Sequence, residues 1–427
     1  MTIQQKVYPA ESADIKHFVS GEKMKNDHYL HAVIQFDATI NEHLLEEAVQ
    51  KTVTALPLLT CRYLEQADKA YWEEAGWTSK DMIEVVREED KDKDTAIQKA
   101  LTVKLNEKKG PQLRITVVRT ENQDTLAIVL NHMLCDGGGF KDYLYLLSDC
   151  YSRLVLTQPI NNPLITNPGS RSIRQVFDVM NDEQMREIKS AQRTKYVQTE
   201  KDYLPLTGDT QNPFIITHQI DADRFETVKN YAKKKGATIN DALFAAYVCA
   251  LSDVLHANPI VLDCPVNLRT YLPVESQAGL CNLTSNITCV VPSHVGETFD
   301  EALSCVKSVM DAEKESLEPL RVYWDLEEAT EKHSLSEAKK LFPEIYSIPV
   351  NGMTNIGIVD DQKLKFTDLQ VTDVFISGSI KYAPYFQVAV TTFRKKMTFS
   401  TNFHGTDEDK HWLDTFIDEM INYLPQN

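Results

Sequence analysis

No stretch of this sequence approaches the ~20 consecutive apolar residues that a membrane-spanning helix requires. The opening residues, Met1-Thr2-Ile3-Gln4-Gln5-Lys6, lack the basic-then-apolar layout of a secretory signal, so a cytoplasmic location is expected. None of the eight cysteines forms a Cys-x-x-Cys pair, and several, such as Cys249, sit inside apolar stretches. That spacing disfavours a disulfide framework or a cysteine-ligated metal and predicts buried, reduced thiols. No P-loop, dinucleotide glycine fingerprint or metal-ligand spacing is present, so no tightly bound cofactor or metal is expected. Cations are scarce as well. The chain has 45 Lys and Arg against 62 Asp and Glu, a net charge of −17, which argues against a general nucleic-acid surface. Against that background an anionic ligand needs a local basic patch.

Internal repeats, glycine/serine linkers and low-complexity tracts are also missing. The 427 residues, 42% of them hydrophobic and 25% charged, divide into two blocks in which strand and helix patterns alternate. In the first, Leu30, Ala32, Ile34 and Phe36 alternate with other residues, the period of a half-buried strand. Asn41 is placed to cap a helix whose apolar positions, Leu45, Val49 and Val53, recur every four residues. Residues 113–118 and 125–130 read as strands joined by a turn, an antiparallel hairpin. The second strand runs into Asn131 and His132, and after three glycines an amphipathic helix is predicted from near Phe140. The acidic run at 88–94 reads as solvated loop. Residues 157–212, richer in Pro, Asn, Ser and Thr, mark the best boundary. The predicted division is therefore an N-terminal lobe at 1–160, a connection at 161–212 and a C-terminal lobe at 213–427.

The second block predicts a helix from Asp223 to Lys235 stopped by Gly236, and a buried helix opened by Thr238 and Asp241. Strands are predicted at 259–266, 286–292, 354–359, 371–377, 386–393 and 396–403, with helices at 301–315 and 407–423. Each block has strands and enough helix to cover one face, which predicts two α+β lobes.

Chemistry concentrates at His132. It ends a strand, lies four residues before Asp136, and precedes Gly137, Gly138 and Gly139. A near-neutral imidazole held at a strand end can take a proton from an alcohol or amine attacking a carbonyl. Taken alone, the pattern equally describes a core histidine followed by a strand-to-helix turn.

The motif, however, resembles the H-x-x-x-D-G signature of the chloramphenicol-acetyltransferase-like superfamily. This group holds nonribosomal-peptide condensation domains, alcohol acyltransferases and polyketide-associated acyltransferases. Further segments resemble family landmarks in the family's order: PLLTCRY at 57–63, GATINDAL at 236–243, VNLR at 266–269 and TNIG at 354–357. The resemblance implies two lobes of similar topology, each a mixed sheet covered by helices, with an active-site channel between them. It implies His132 as general base or orienting group, and Asp136 as a structural residue salt-bridged to Arg269. Candidate oxyanion donors are the Gly137 backbone N–H and a polar group near Asn355 or Ser285.

The implied reaction is acyl transfer from a pantetheine thioester, acyl-coenzyme A or an acyl carrier protein, to a hydroxyl or amine. Condensation domains usually carry two adjacent histidines, whereas the first position here is Asn131, and no D-F-G-W-G segment is found. Both departures favour a stand-alone acyltransferase, expected to be a monomer. Alternatives are a nonribosomal-type condensation enzyme, a non-catalytic carrier or thioester binder, and a thioester hydrolase. Weaker signals are Lys233, Lys234 and Lys235 as a phosphate or carrier contact, Tyr323, Trp324, Tyr382 and Tyr385 as channel aromatics, and His28 and His31 near the cleft. For each of these the blander reading, solvated helix end or core residue, is preferred.

Overall fold

The computed structural model describes residues 6–426 apart from 193–195, 256, 275, 277, 295 and 348. It is an α+β fold of mixed sheets covered by helices.

The first large sheet has five strands in the order Val371–Ser377, Tyr29–Phe36, Asp124–Asn131, Leu113–Arg119, Ile83–Arg87. The predicted hairpin is present, in a register that runs from Leu113 opposite Leu130 to Arg119 opposite Asp124. Tyr29–Phe36 is buried on both faces, not half-buried as its alternation predicts. The reason is its central place. Leu30, Ala32, Ile34 and Phe36 enter the main core, while Val33 packs with Ile97 and Leu101 of the helix Lys93–Leu101 and with Ile215 from the second sheet. That helix occupies the end of the acidic run read as loop. The Asn41 cap forms as expected, its side chain accepting from Leu44 N at 3.1 Å, and Leu45, Ala48, Val49, Thr52 and Val53 are buried behind it.

The second large sheet has seven strands. Its order is Thr284–Val291, Ile260–Asn267, Asn351–Val359, Phe386–Phe393, Lys396–His404, Lys381–Tyr382, with Pro213–Ile220 also paired to Lys396–His404. The helix Ala222–Lys234 stops where Gly236 turns left-handed (φ 66°), a conformation that an L side chain strains to adopt. After it, Ile239–Leu255 runs buried through the second core. No single helix among the described residues is long and apolar enough to cross a membrane.

Chain order and spatial order part company in the C-terminal half. Val371–Ser377 crosses over and pairs antiparallel with Tyr29–Phe36 in the first sheet. The helices Glu318–Lys332 and Leu335–Ile345 bury Leu320, Tyr323, Leu326 and Phe342 in the first core. The proline-rich connection is packed down too, with Leu164, Ile173, Val176, Phe177 and Ile188 in that core. The eight cysteines are unpaired, seven of them buried.

Candidate active site

His132 follows the last residue of the buried strand Asp124–Asn131, where the chain turns into the helix Gly137–Val155. The helix starts three residues before the predicted Phe140, because Asp136 caps it: Oδ1 accepts the Gly139 N–H at 2.9 Å. A capping carboxylate offsets the poor helix propensity of three glycines. Glycine at 139 has a steric cause as well. A Cβ there would lie 2.8 Å from Cys135 Cβ and 3.2 Å from the Cys281 carbonyl oxygen.

The other carboxylate oxygen of Asp136 is saturated. Oδ2 accepts from Arg269 Nη1 at 2.8 Å, Leu283 N at 2.7 Å and Thr284 Oγ1 at 2.9 Å. Burial alone would raise this carboxyl's pKa, but the charge and hydrogen bond of Arg269, with the amides of Gly139 and Leu283, hold it below the usual carboxylate range. Arg269 also donates to the Cys281 carbonyl at 3.1 Å, and Asn282 Nδ2 donates to the carbonyls of His132 at 2.9 Å and Met133 at 3.0 Å. Arg269, Asn282, Leu283 and Thr284 of the second half therefore clamp the 132–139 turn of the first.

His132 itself borders a cavity of about 230 Å³ lined from both halves of the chain. Its Nδ1 is sealed, without a hydrogen-bond partner. With Nδ1 sealed, Nε2 is the nitrogen left to meet a ligand in the cavity. Burial pushes the imidazole down to about 4, with Lys16 and Lys381 adding repulsion, so the ring is neutral at physiological pH. Gly137 and Gly138 line the same cavity, and as the first residues of the helix their N–H groups have no intrahelical acceptor.

Several lining residues carry no motif or period in the sequence. His17 stacks on His132, ring centroids 4.0 Å apart and planes inclined by 25°. It belongs to the helix Ser12–Glu22, which was not predicted: Ser12, Asp14 and Lys16 are buried beside Ala13, Ile15, Phe18 and Val19, so no amphipathic period emerges. Arg171 anchors this helix to the turn that carries His132. Its Nη2 donates to Asp14 Oδ1 at 2.8 Å and lies 3.4 Å from the carbonyl oxygens of Met133 and Leu134. Lys16, Lys381, Asp263 and Asn286 also line the cavity.

Asn355 lies on the cavity wall, its Oδ1 taken by the Gly357 N–H at 3.0 Å. Ser285 does not. It is fully buried with its hydroxyl unpartnered, and its neighbours Thr284 and Asn286 face the cavity instead, because successive residues of a strand point to opposite faces. Asn131 is likewise turned inward, donating to Gln112 Oε1 at 2.7 Å and accepting from Met133 N at 2.9 Å. Its side chain is therefore engaged inside the fold and does not line the cavity.

The weaker candidates lie elsewhere. His28 approaches Glu107 (3.6 Å), and His31 donates from Nδ1 to the Gly378 carbonyl at 2.8 Å. Tyr323 is core, Trp324 packs edge-on against Phe177, and Tyr382 stacks on His404, while Tyr346 is the aromatic that reaches the cavity. Lys235 pairs with Asp300 at 2.6 Å on the surface.

A buried turn holding a histidine at the junction of two mixed sheets defines the class to which the fold belongs. Residues 4–426 match the family model of the condensation domain, and the chain belongs to that family. No curated protein sequence matches it. Among solved structures, it is similar to the first condensation domain of the calcium-dependent antibiotic synthetase in complex with a substrate analogue. That likeness has a TM-score of 0.70 at 13% identity and covers 100% of this chain and 96% of that one. It is also similar to polyketide synthase associated protein 5 from Mycobacterium tuberculosis (0.67, 13%, 99% and 98%) and to the trichothecene 15-O-acetyltransferase from Fusarium sporotrichioides (0.67, 15%, 98% and 96%). At these identities the likeness establishes the fold.

Proposed function

We propose that this chain is an acyltransferase that moves an acyl group from a pantetheine thioester, acyl-coenzyme A or an acyl carrier protein, to a hydroxyl or amine. The observation that carries this reading is the His132 arrangement. A neutral imidazole with Nδ1 sealed borders a cavity that also receives unused amides from a helix N-terminus.

In this reading His132 Nε2 takes the proton of the acceptor as its oxygen or nitrogen attacks the thioester carbonyl. The negative charge that develops on the carbonyl oxygen is stabilised by the N–H groups at Gly137 and Gly138, aided by the helix dipole. Collapse breaks the C–S bond, and His132 returns the proton to the departing thiolate. Asp136 and Arg269 take no part in proton transfer; they hold the turn. His17 positions the His132 ring by stacking and keeps water from it.

The test is thiol release from a panel of acyl-coenzyme A donors and acyl carriers, with alcohol and amine acceptors, comparing wild type with His132→Ala. A drop on the order of 10²–10⁴-fold is expected for loss of a general base. Equal release by both proteins removes His132 from the mechanism, and a non-catalytic thioester binder becomes the better account. A second reading is amide formation on a carrier-bound amine: Asn131, turned inward to Gln112, sets neither acceptor apart, and turnover confined to amine acceptors would select it.

A further inference from the structure

The chamber beside His132 has a charge balance opposite to that of the chain. The sequence is net −17, yet the chamber is lined by four cations, Lys16, Lys141, Arg269 and Lys381, against two carboxylates, Asp136 and Asp263. Arg269 is satisfied by Asp136 and the Cys281 carbonyl, and Lys141 donates to the Ile356 carbonyl at 2.8 Å. Lys16 donates to Tyr323 Oη at 2.9 Å, and its ammonium lies 4.3 Å from the centroid of the Tyr346 ring.

Lys381 has no such provision. It is only 9% exposed, and among the described residues its ammonium donates no hydrogen bond and has no carboxylate at ion-pair distance. It is held there by its backbone: residue 381 bridges to Asn26, and Asp27 Oδ1 accepts the neighbouring Ile380 N–H at 2.9 Å. The one acidic group answering it inside the chamber is Asp263, which also answers Lys16 and Lys25. Asp263 Oδ2 accepts from Asn286 at 3.0 Å, while its Oδ1 is buried without a partner. Three ammonium groups thus draw on Asp263, with Asp27 adding to its pull on Lys381 and Asp136 to its pull on Lys16. Burial pushes Lys16 down to about 7 and Lys381 to about 8, and the attraction of these carboxylates offsets it only in part. A buried ammonium without a counter-ion is unfavourable unless something completes it.

Building on the acyl-transfer reading, we propose that the substrate carries a carboxylate that docks on Lys381, with Lys16 beside it, next to the reacting carbonyl. The phosphate of a pantetheine donor does not fill this role, because it is separated from the sulfur by the whole pantetheine arm. The carboxylate belongs either to the acyl group, as in the half-thioester of a dicarboxylic acid, or to the acceptor, as in a hydroxy or amino acid. Recognition by a buried ammonium excludes the neutral ester or amide of the same compound, whose polar group leaves that charge unmet.

Calorimetric binding, without the second substrate, separates the two sources. One arm compares succinyl-coenzyme A with butyryl-coenzyme A; the other compares phenyllactate with its methyl ester and phenylalanine with its amide. In one arm the carboxylated member is expected to bind at least tenfold more tightly. Lys381→Met should erase that margin while preserving affinity for the neutral member, and Lys381→Arg should keep most of it. Lys381→Gln serves in place of Lys381→Met if the latter does not fold. Equal binding within every pair, or a margin that survives Lys381→Met, overturns the proposal. Because no turnover is read, failure of the acyl-transfer reading shows separately, as equal thiol release by wild type and His132→Ala.

Discussion

Asparagine at position 136 would keep the size of the capping side chain and remove its charge, which makes Asp136→Asn a sharp test of how the His132 turn is held. The amide oxygen can still cap the Gly139 N–H, now accepted by Oδ1 at 2.9 Å. The amide NH2, however, would replace the oxygen that accepts from Arg269, Leu283 and Thr284 at 2.7–2.9 Å, setting donors against donors. Breaking a buried ion pair from one side costs about 3–5 kcal/mol. Arg269 keeps its bond to the Cys281 carbonyl and its side chain is 18% exposed, so the lower part of that range, about 3 kcal/mol, is expected. Removing both charges relieves the unmatched cation, so Asp136→Asn with Arg269→Met should cost less than the two single changes added together, by about 2 kcal/mol.

Urea unfolding followed by circular dichroism, run as a double-mutant cycle, reads both quantities. Asp136 is depressed below its ordinary value of 3.8, so its contribution is complete above that pH and is lost as pH falls toward the native value. The gap between wild type and Asp136→Asn should therefore be flat from neutral pH to about pH 5 and close only in stronger acid. A cost below about 1 kcal/mol, or additivity in the cycle, would refute the claim that this pair holds the turn.

Three further outcomes follow from the same geometry. Because burial holds His132 near 4, the limb of the pH–rate profile due to this residue should lie well below the 6.5 of an ordinary histidine; a limb at 6.5 would show the ring to be solvated. His17→Ala uncovers the face of the His132 ring, and admitting water should move that limb upward toward 6.5; an unchanged limb would deny His17 its positioning role. Gly139→Ala places a methyl 2.8 Å from Cys135 Cβ, so a loss of about 1–3 kcal/mol in urea unfolding is expected, whereas Gly137→Ala, whose methyl would meet only Ile356 at 3.6 Å or more, should be far milder.

How much of this was legible beforehand depends on the range over which each feature is encoded. The strands Val371–Ser377 and Phe386–Phe393 and the helix Asp407–Tyr423 match their predicted bounds, because each carries its own local period and punctuation. The helix Ser12–Glu22 left no such trace, since its polar residues are buried together with its apolar ones.

The amino-acid sequence by itself determined the strand-turn-helix that carries His132, the acid four residues on and the resemblance that links it to Arg269. Those features are local, or are tied to a motif of fixed spacing. Tertiary structure alone decided what faces the imidazole. It stacks His17 on the ring, turns Asn131 and Ser285 inward while Thr284 and Asn286 look out, and brings Lys16, Asp263 and Lys381 to one chamber. Those three residues are separated by more than a hundred positions each, and no local period records which faces of distant elements will meet. The charge they share appears only when the chain closes around it.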